Sequence, residues 1–257
     1  MLKSIFAVLS TVVFLLYSCV TLGIFWIIGR FNKKKADMLS LRYVQNFFKY
    51  ILKICGTKVI VIGEENVPKD QPVMYIANHR SYFDTLITYC RAPGLTGYIA
   101  KDGVEKVPLL RTWMRRLHCL FLNRSSMKEG MKTILTAIEY VKQGISITVF
   151  PEGTRGKELG AKEQEMNPFK EGCFKIATKT GCPIVPMAIT GSREILEAHF
   201  PKMKSATVVL RYGKPIDPKA LSEEDKKHIG AYVQNVVREL LDESEPIYKA
   251  AVEKRGC

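Results

Sequence analysis

The chain of 257 residues accommodates one large domain, or a medium domain with an appendage, and excludes a long multidomain assembly. Hydrophobic residues at 47% and charged residues at 25% exclude a disordered chain, a collagen-like repeat and a polytopic membrane protein. Lysine and arginine number 39 against 25 acidic residues, a net +14 that favours a polyanionic partner such as nucleic acid, anionic lipid or a phosphorylated substrate. The seven cysteines form no C-x-x-C pair and four lie in apolar runs, so they read as reduced thiols rather than a disulfide scaffold or zinc ribbon.

Residues 5–29 carry no charge. A helix of that length spans about 37 Å, enough for a hydrocarbon core of about 30 Å. Lys3 precedes the stretch and Arg30, Lys33, Lys34 and Lys35 follow it, so the positive-inside rule places the rest of the chain on the cytoplasmic face of a cell inner membrane. A cleaved signal ending near Leu16-Tyr17-Ser18-Cys19 is the rival reading. It fits less well, because the apolar run continues through Leu22, Ile24, Phe25, Trp26 and Ile28, beyond the about 7–15 residues of a secretory core. Over residues 36–55, Val44, Phe47, Phe48, Ile51, Leu52 and Cys55 recur at helical spacing, opposite Arg42, Gln45, Asn46, Lys49 and Lys53, with Gly56 closing the helix. Such a basic amphipathic helix packs on a domain core or lies on an anionic membrane surface, and the sequence leaves both open.

From Lys58 onward short β-rich runs alternate with helical patterns, which predicts one α/β domain over 58–257 behind a two-helix segment over 1–57. Strands are expected at 58–62, 73–77, 97–100, 119–122, 145–150, 184–189 and 207–212. Helices are expected at 82–91, 108–117, 128–142, 173–180 and 223–241, the last after a Ser222-x-x-Asp225 capping signal. In α/β sheets ligands bind beyond the carboxyl ends of strands. Polar clusters stand at those positions here: Asn78-His79-Arg80, Lys101, Asn123-Arg124 and Pro151-Glu152-Gly153-Thr154-Arg155.

His79 and Asp84 are spaced so that a strand end entering a helix brings the carboxylate to the imidazole, fixing its tautomer and leaving Nε2 as a general base. Ser81-Tyr82-Phe83-Asp84 also reads as a capping box, with Asp84 favouring a helix N-terminus; both roles can coexist. The loop from Phe150 to Arg155 sets a carboxylate, a glycine and a guanidinium together, suited to phosphate oxygens or to a plain turn ending a strand. Gly156-Lys157-Glu158 lacks a P-loop ending and no G-x-S-x-G elbow is present, which argues against an NTPase and a serine nucleophile. His118, His199 and His228 have no ligand-spaced partners, so no structural metal is expected.

The ordered set Asn-His-x4-Asp, Phe121-Leu122-Asn123-Arg124, Phe-Pro-Glu-Gly-Thr-Arg and Ile184-Val185-Pro186 resembles the glycerolipid acyltransferase family, most closely its bacterial 1-acyl-glycerol-3-phosphate acyltransferases. The resemblance covers roughly residues 58–212, and the first two helices look like that group's membrane-docking element. It implies a mixed or parallel α/β sheet domain. It also implies transfer of a fatty acyl group from acyl-CoA or acyl carrier protein to the 2-hydroxyl of lysophosphatidic acid, giving phosphatidic acid without an acyl-enzyme or a further cofactor. By the same resemblance His79 and Asp84 are the catalytic pair, while Lys101, Arg124, Glu152, Gly153, Thr154 and Arg155 match acceptor-binding positions. Glu152, paradoxical beside a phosphate, would orient the cations or bond acceptor hydroxyls; Val185 and Pro186 would shape the acyl site. His118 departs from the pattern, standing where many members carry glycine. The expected partners are lysophosphatidic acid, the acyl donor and a bilayer with anionic lipids. Two rivals are an acyltransferase for another lysophospholipid or lyso-aminolipid, and a catalytically silent polybasic membrane-binding protein. Nucleic acid is not expected, since none of its binding motifs is present.

Overall fold

A computed structural model describes residues 1–123, 125–156 and 165–256. The chain opens with α1 (Leu2–Phe31) and α2 (Lys33–Cys55), then β1 (Lys58–Ile62), β2 (Met74–Ala77), α3 (Phe83–Tyr89), β3 (Thr96–Lys101), α4 (Pro108–Arg116) and β4 (Leu120–Leu122). It continues through α5 (Met127–Lys142), β5 (Ser146–Val149), α6 (Lys175–Thr180), β6 (Ile184–Thr190), β7 (Thr207–Tyr212), α7 (Glu223–Lys227) and α8 (Ile229–Gly256). Among the described residues seven strands form one sheet in the order β1-β7-β6-β2-β5-β3-β4. The five strands from β6 to β4 run parallel. β7 is antiparallel to β6, and β1 follows the direction of β7. The loops after β2, β3, β4, β5 and β6 therefore leave the same edge, and the site is built there.

Burial on both faces explains why β2 and β6 are apolar almost throughout. Met74, Ile76, Ile147, Val149, Ile184 and Ala188 point to one face and pack against Ile134, Ala137, Val233, Val237 and Leu241 of α5 and α8. Tyr75, Ala77, Val185, Met187 and Leu210 point to the other and meet Ile51 and Leu52 of α2 and Phe83 and Ile87 of α3. Each aliphatic side chain so buried contributes about 1.5–3 kcal/mol relative to exposure.

The first two helices form a hairpin. Asn32 ends α1 and caps α2, its side chain accepting from Lys35 N at 2.9 Å, and Gly56 closes α2 at φ 69°, in the left-handed region that spares glycine a Cβ clash. Phe14 stacks on Phe47 and on Tyr43. The α2 stripe is spent on the domain: Ile51, Leu52 and Cys55 join the cluster under α3, while Leu41 and Val44 pack with Tyr89, Tyr98 and Trp113. Gln45, expected on the solvent side, is buried and donates to the carbonyls of Tyr89 and Ala92. Most of the apolar surface that the hairpin leaves uncovered belongs to α1, where Leu9, Val13, Leu16, Val20, Trp26 and Ile27 are exposed.

The C-terminal helix also departs from expectation. His228 separates α7 from α8, and α8 passes through Pro246 to Gly256 rather than ending at Leu241. Arg211 ties this extension to the sheet through Ser244 Oγ (3.1 Å) and Glu243 (3.1 Å).

Candidate active site

β2 delivers Asn78-His79-Arg80-Ser81 to the carboxyl edge. Asn78 prolongs the β2–β6 ladder with its side chain, donating to Ile189 O and accepting from Ile189 N, each at 2.9 Å. His79 follows in a loop anchored on both sides. Its Nδ1 lies 2.8 Å from Asp84 Oδ2, and the same oxygen accepts from the backbone N–H of Arg80 (2.7 Å) and Ser81 (2.8 Å). An oxygen already accepting from two amides meets Nδ1 as an acceptor too, so Nδ1–H is the donor of this contact and Nε2 presents its lone pair. Asp84 is fully buried in the first turn of α3. It serves as both orienting partner and helix-start acceptor, so the two roles read from the sequence coexist. Phe150 stacks on the imidazole at 4.2 Å and 18°.

Glu152 is turned inward. It is 2% exposed, and its oxygens accept from His79 N (2.7 Å) and Asn167 N (2.9 Å). Burial pushes this carboxyl above its ordinary value, with the two amide bonds and the charge of Arg80 opposing. The sequence reading set this carboxylate against cations or acceptor hydroxyls; in the structure it braces the backbone behind His79 and lies in the field of Arg80. Gln234 fixes the other end of that brace, accepting from Phe169 N and donating to Asn167 O.

Gly153 turns the loop at φ 74° and Thr154 is exposed. The Arg155 guanidinium lies 3.5 Å from the centre of the Tyr82 ring. Lys101 stands exposed at the end of β3, and Arg124 lies outside the described residues. Val185 and Pro186, expected to shape the acyl site, are buried in the middle of β6 and line neither cavity described next. Their side chains pack the two faces of the sheet: Val185 pairs across β2 with Tyr75 and Pro186 with Ile76.

An apolar cavity of about 460 Å³ opens at the strand ends beside Phe150 and Gly153, with Ile99, Leu122, Met131 and Ile134 among its walls. A second, of about 370 Å³, lies at the opposite strand ends, between the loop at Glu64 and the Arg91 end of α3, with Tyr75, Thr88, Tyr98 and Tyr212 among its walls. Among the described residues no three His, Cys, Asp or Glu side chains converge as metal ligands, and the six described cysteines are free thiols.

His118 adopts φ 58°, a left-handed conformation that suits glycine. A Cβ on Gly97 would overlap the His118 carbonyl, so the two segments touch through backbone. The His118 ring turns to the hairpin instead, with Nε2 3.4 Å from Asp37 of α2. Arg116 reaches Ser40 Oγ at 2.6 Å and Phe25 O at 3.2 Å.

A family model described as Acyltransferase matches residues 58–190, more than half of the chain. The chain belongs to the acyltransferase family. This acyltransferase is 27% identical over 213 residues to a probable 1-acyl-sn-glycerol-3-phosphate acyltransferase of Mycoplasma pneumoniae, covering 79% of this chain and 77% of that one. It is 32% identical over 198 residues to the 1-acyl-sn-glycerol-3-phosphate acyltransferase of Saccharomyces cerevisiae, covering 76% and 63%. The crystal structure of the 1-acyl-sn-glycerophosphate (LPA) acyltransferase PlsC of Thermotoga maritima aligns over 95% of both chains with TM-score 0.80 and 28% identity. The mixed sheet with flanking helices expected from the sequence is thus the fold of this acyltransferase.

Sequence reasoning missed Glu197. It lies in the loop after β6, and the rule that directs attention to strand ends applies to β6 as it does to β2 and β5. Its carboxylate accepts from Ser81 Oγ (2.7 Å) and Tyr82 N (2.8 Å) and pairs with Arg155 at 3.6 Å.

Proposed function

We propose that this acyltransferase moves a fatty acyl group from acyl-CoA or acyl carrier protein to the 2-hydroxyl of 1-acyl-glycerol-3-phosphate, producing phosphatidic acid and a free thiol. The observation that carries the reading is the His79–Asp84 pair at 2.8 Å, whose geometry leaves Nε2 as a base. A secondary alcohol is a weak nucleophile at neutral pH, so His79 takes its proton as the oxygen attacks the thioester carbonyl. Collapse of the tetrahedral adduct breaks the C–S bond, and the imidazolium returns the proton to the departing thiolate. Asp84 stabilises that imidazolium, and no acyl-enzyme forms. The activity of the relatives, acylation of 1-acyl-sn-glycerol-3-phosphate, supports the choice of acceptor.

Arg155, with Lys101 and Arg124, holds the acceptor's phosphate through charge-assisted bonds. Gly153 and Thr154 shape the loop that carries Arg155. Such contacts persist from the ground state into the transition state, so Arg155→Ala raises the acceptor KM about 10- to 100-fold and changes kcat little. Initial rates over a lysophosphatidic acid series check this. A rise confined to the donor KM contradicts the assignment.

The cavity beside Phe150 receives the donor's hydrocarbon chain. A Cβ added to Gly130 of α5 meets only ordinary contacts, at 3.6 Å from Asn123 O and 3.7 Å from Leu122. Gly130→Leu therefore extends into the cavity and also removes a helix-interior glycine that costs about 0.8–1 kcal/mol relative to alanine. The expected result is an unchanged or higher Tm with a preference shifted to shorter acyl chains, read from competition between donors of different length. An unshifted preference removes the chain from this cavity.

Acceptor and product are bilayer lipids, and α1 is long and apolar enough to cross a membrane. It is nevertheless tied to the domain at both ends: Lys3 contacts Ser205, Ser4 Oγ accepts from Met203 N, and Phe25 O accepts from Arg116. A helix held alongside the domain in this way sinks its exposed apolar face into one leaflet, with Arg30 and Lys33–35 near anionic headgroups. The positive flank supports the cytoplasmic face of the inner membrane as the side on which the domain sits. The overall reading is tested by product analysis. Purified enzyme with acyl thioester and a panel of lysolipids yields phosphatidic acid selectively, and equal acylation of lysolipids that lack the phosphomonoester would favour another acceptor.

A further inference from the structure

The Arg155 guanidinium is held on two sides before any substrate arrives. Tyr82 lies flat beneath it, 3.5 Å from ring centre to guanidinium carbon, and Glu197 pairs with its Nη1 at 3.6 Å. Neither side chain of that ion pair is much exposed, at 18% and 16%, so solvent screens it only in part. Glu197 is itself fixed, since its two oxygens accept from Tyr82 N and Ser81 Oγ. Ser81 Oγ in turn accepts from Phe83 N, and Ser81 N donates to the catalytic-pair carboxylate of Asp84. One carboxylate therefore joins the loop after β6, the cation after β5 and the start of α3 beside His79.

A lone carboxylate at this place would repel a phosphate. Paired with a guanidinium it does the reverse. Arginine is rich in rotamers, and much of that entropy is lost when a flexible side chain is immobilised on a ligand. With Nη1 on Glu197 and a face on Tyr82, Arg155 is oriented in advance, and a guanidinium has five N–H donors, so an anion can be bonded without breaking the ion pair.

We infer that Glu197 is a positioning residue for acceptor recognition, preorganising Arg155 to receive the phosphate of the lysolipid. The inference rests on the reading of Arg155 as a phosphate contact. The test is a double-mutant cycle on the full chain with Glu197→Gln, Arg155→Ala and the pair, measuring kcat and the lysophosphatidic acid KM at saturating acyl-CoA. Gln keeps the size and an oxygen for Tyr82 N, and thermal melting verifies its fold; Glu197→Asp, which keeps the charge, recovers most of the wild-type KM. Glu197→Gln is expected to raise the acceptor KM about tenfold with kcat within about twofold, and to add no more than about twofold once Arg155 is alanine. An equal rise in both backgrounds, or a fall in kcat with KM unmoved, overturns the inference, because Glu197 would then act without Arg155. Should Arg155→Ala leave the acceptor KM unchanged, the phosphate assignment itself fails. A rise with Arg155→Ala and none with Glu197→Gln refutes the positioning role alone.

Discussion

Replacing His79 with alanine lowers acyl transfer by about 10²- to 10⁴-fold while leaving Tm nearly unchanged, the span that a positioned general base supplies. The fold survives because the loop is held by groups other than the imidazole. Glu152 grips the His79 backbone N–H, Asp84 grips those of Arg80 and Ser81, and Asn78 pairs with Ile189. Asp84→Asn preserves the shape but offers an amide in place of the carboxylate that accepts from Nδ1 and two backbone amides. If the amide nitrogen turns to the loop, donors face donors; if its oxygen does, the imidazolium loses its counter-charge. A loss of about 10³- to 10⁴-fold is expected, by analogy with a triad whose aspartate is neutralised. Stopped-assay rates and melting curves on both variants check the pair. A His79→Ala enzyme that keeps a tenth of the wild-type rate would place the base elsewhere.

Glu152→Gln is the second large effect, and it acts on fold and chemistry together. Both oxygens of Glu152 accept, one from His79 N and one from Asn167 N, whereas Gln offers one acceptor and one donor. One buried N–H then faces another N–H, costing about 1–3 kcal/mol of stability. Because His79 hangs from that bond, a shift of its backbone of the order of 1 Å lowers kcat by about 10²-fold. The pH dependence has a definite sign. Burial raises the carboxyl's value above its ordinary 4.5, so this group's contribution is full below that value and falls as pH climbs through the raised one. The stability advantage of wild type over Glu152→Gln therefore shrinks as the pH climbs above the ordinary carboxyl value. Urea unfolding of both proteins across that range measures it, and an advantage that widens with pH would contradict the burial argument.

Much of the scaffold was legible because central parallel strands are apolar on both faces, so runs such as Met74–Ala77 and Ile184–Thr190 stand out from their surroundings. The His79–Asp84 pairing was legible because its partners are close in sequence: a strand end and the following helix turn bring His79 to Asp84. What was missed depends on contacts distant in sequence. Gln45 looked like a solvent-face residue until its amide met the carbonyls that end α3. Glu152 carried a motif position but not its direction, and only the fold reveals that it faces the His79 backbone. Glu197 belongs to no motif and reaches Ser81, Tyr82 and Arg155 only when β6 lies beside β2. The last helix, expected to end at Leu241, runs on through Pro246, and Arg211 holds Glu243 and Ser244 of that extension against β7.

We propose that His79 serves as base for direct acyl transfer to a lysophosphatidic acid hydroxyl. Thiol release by the purified protein in lipid vesicles, supplied with acyl-CoA with and without lysophosphatidic acid, is the decisive assay, run beside His79→Ala. Release that requires the acceptor, yields phosphatidic acid and disappears in the variant is the predicted result. Release that proceeds equally without acceptor, or persists in His79→Ala, would contradict it.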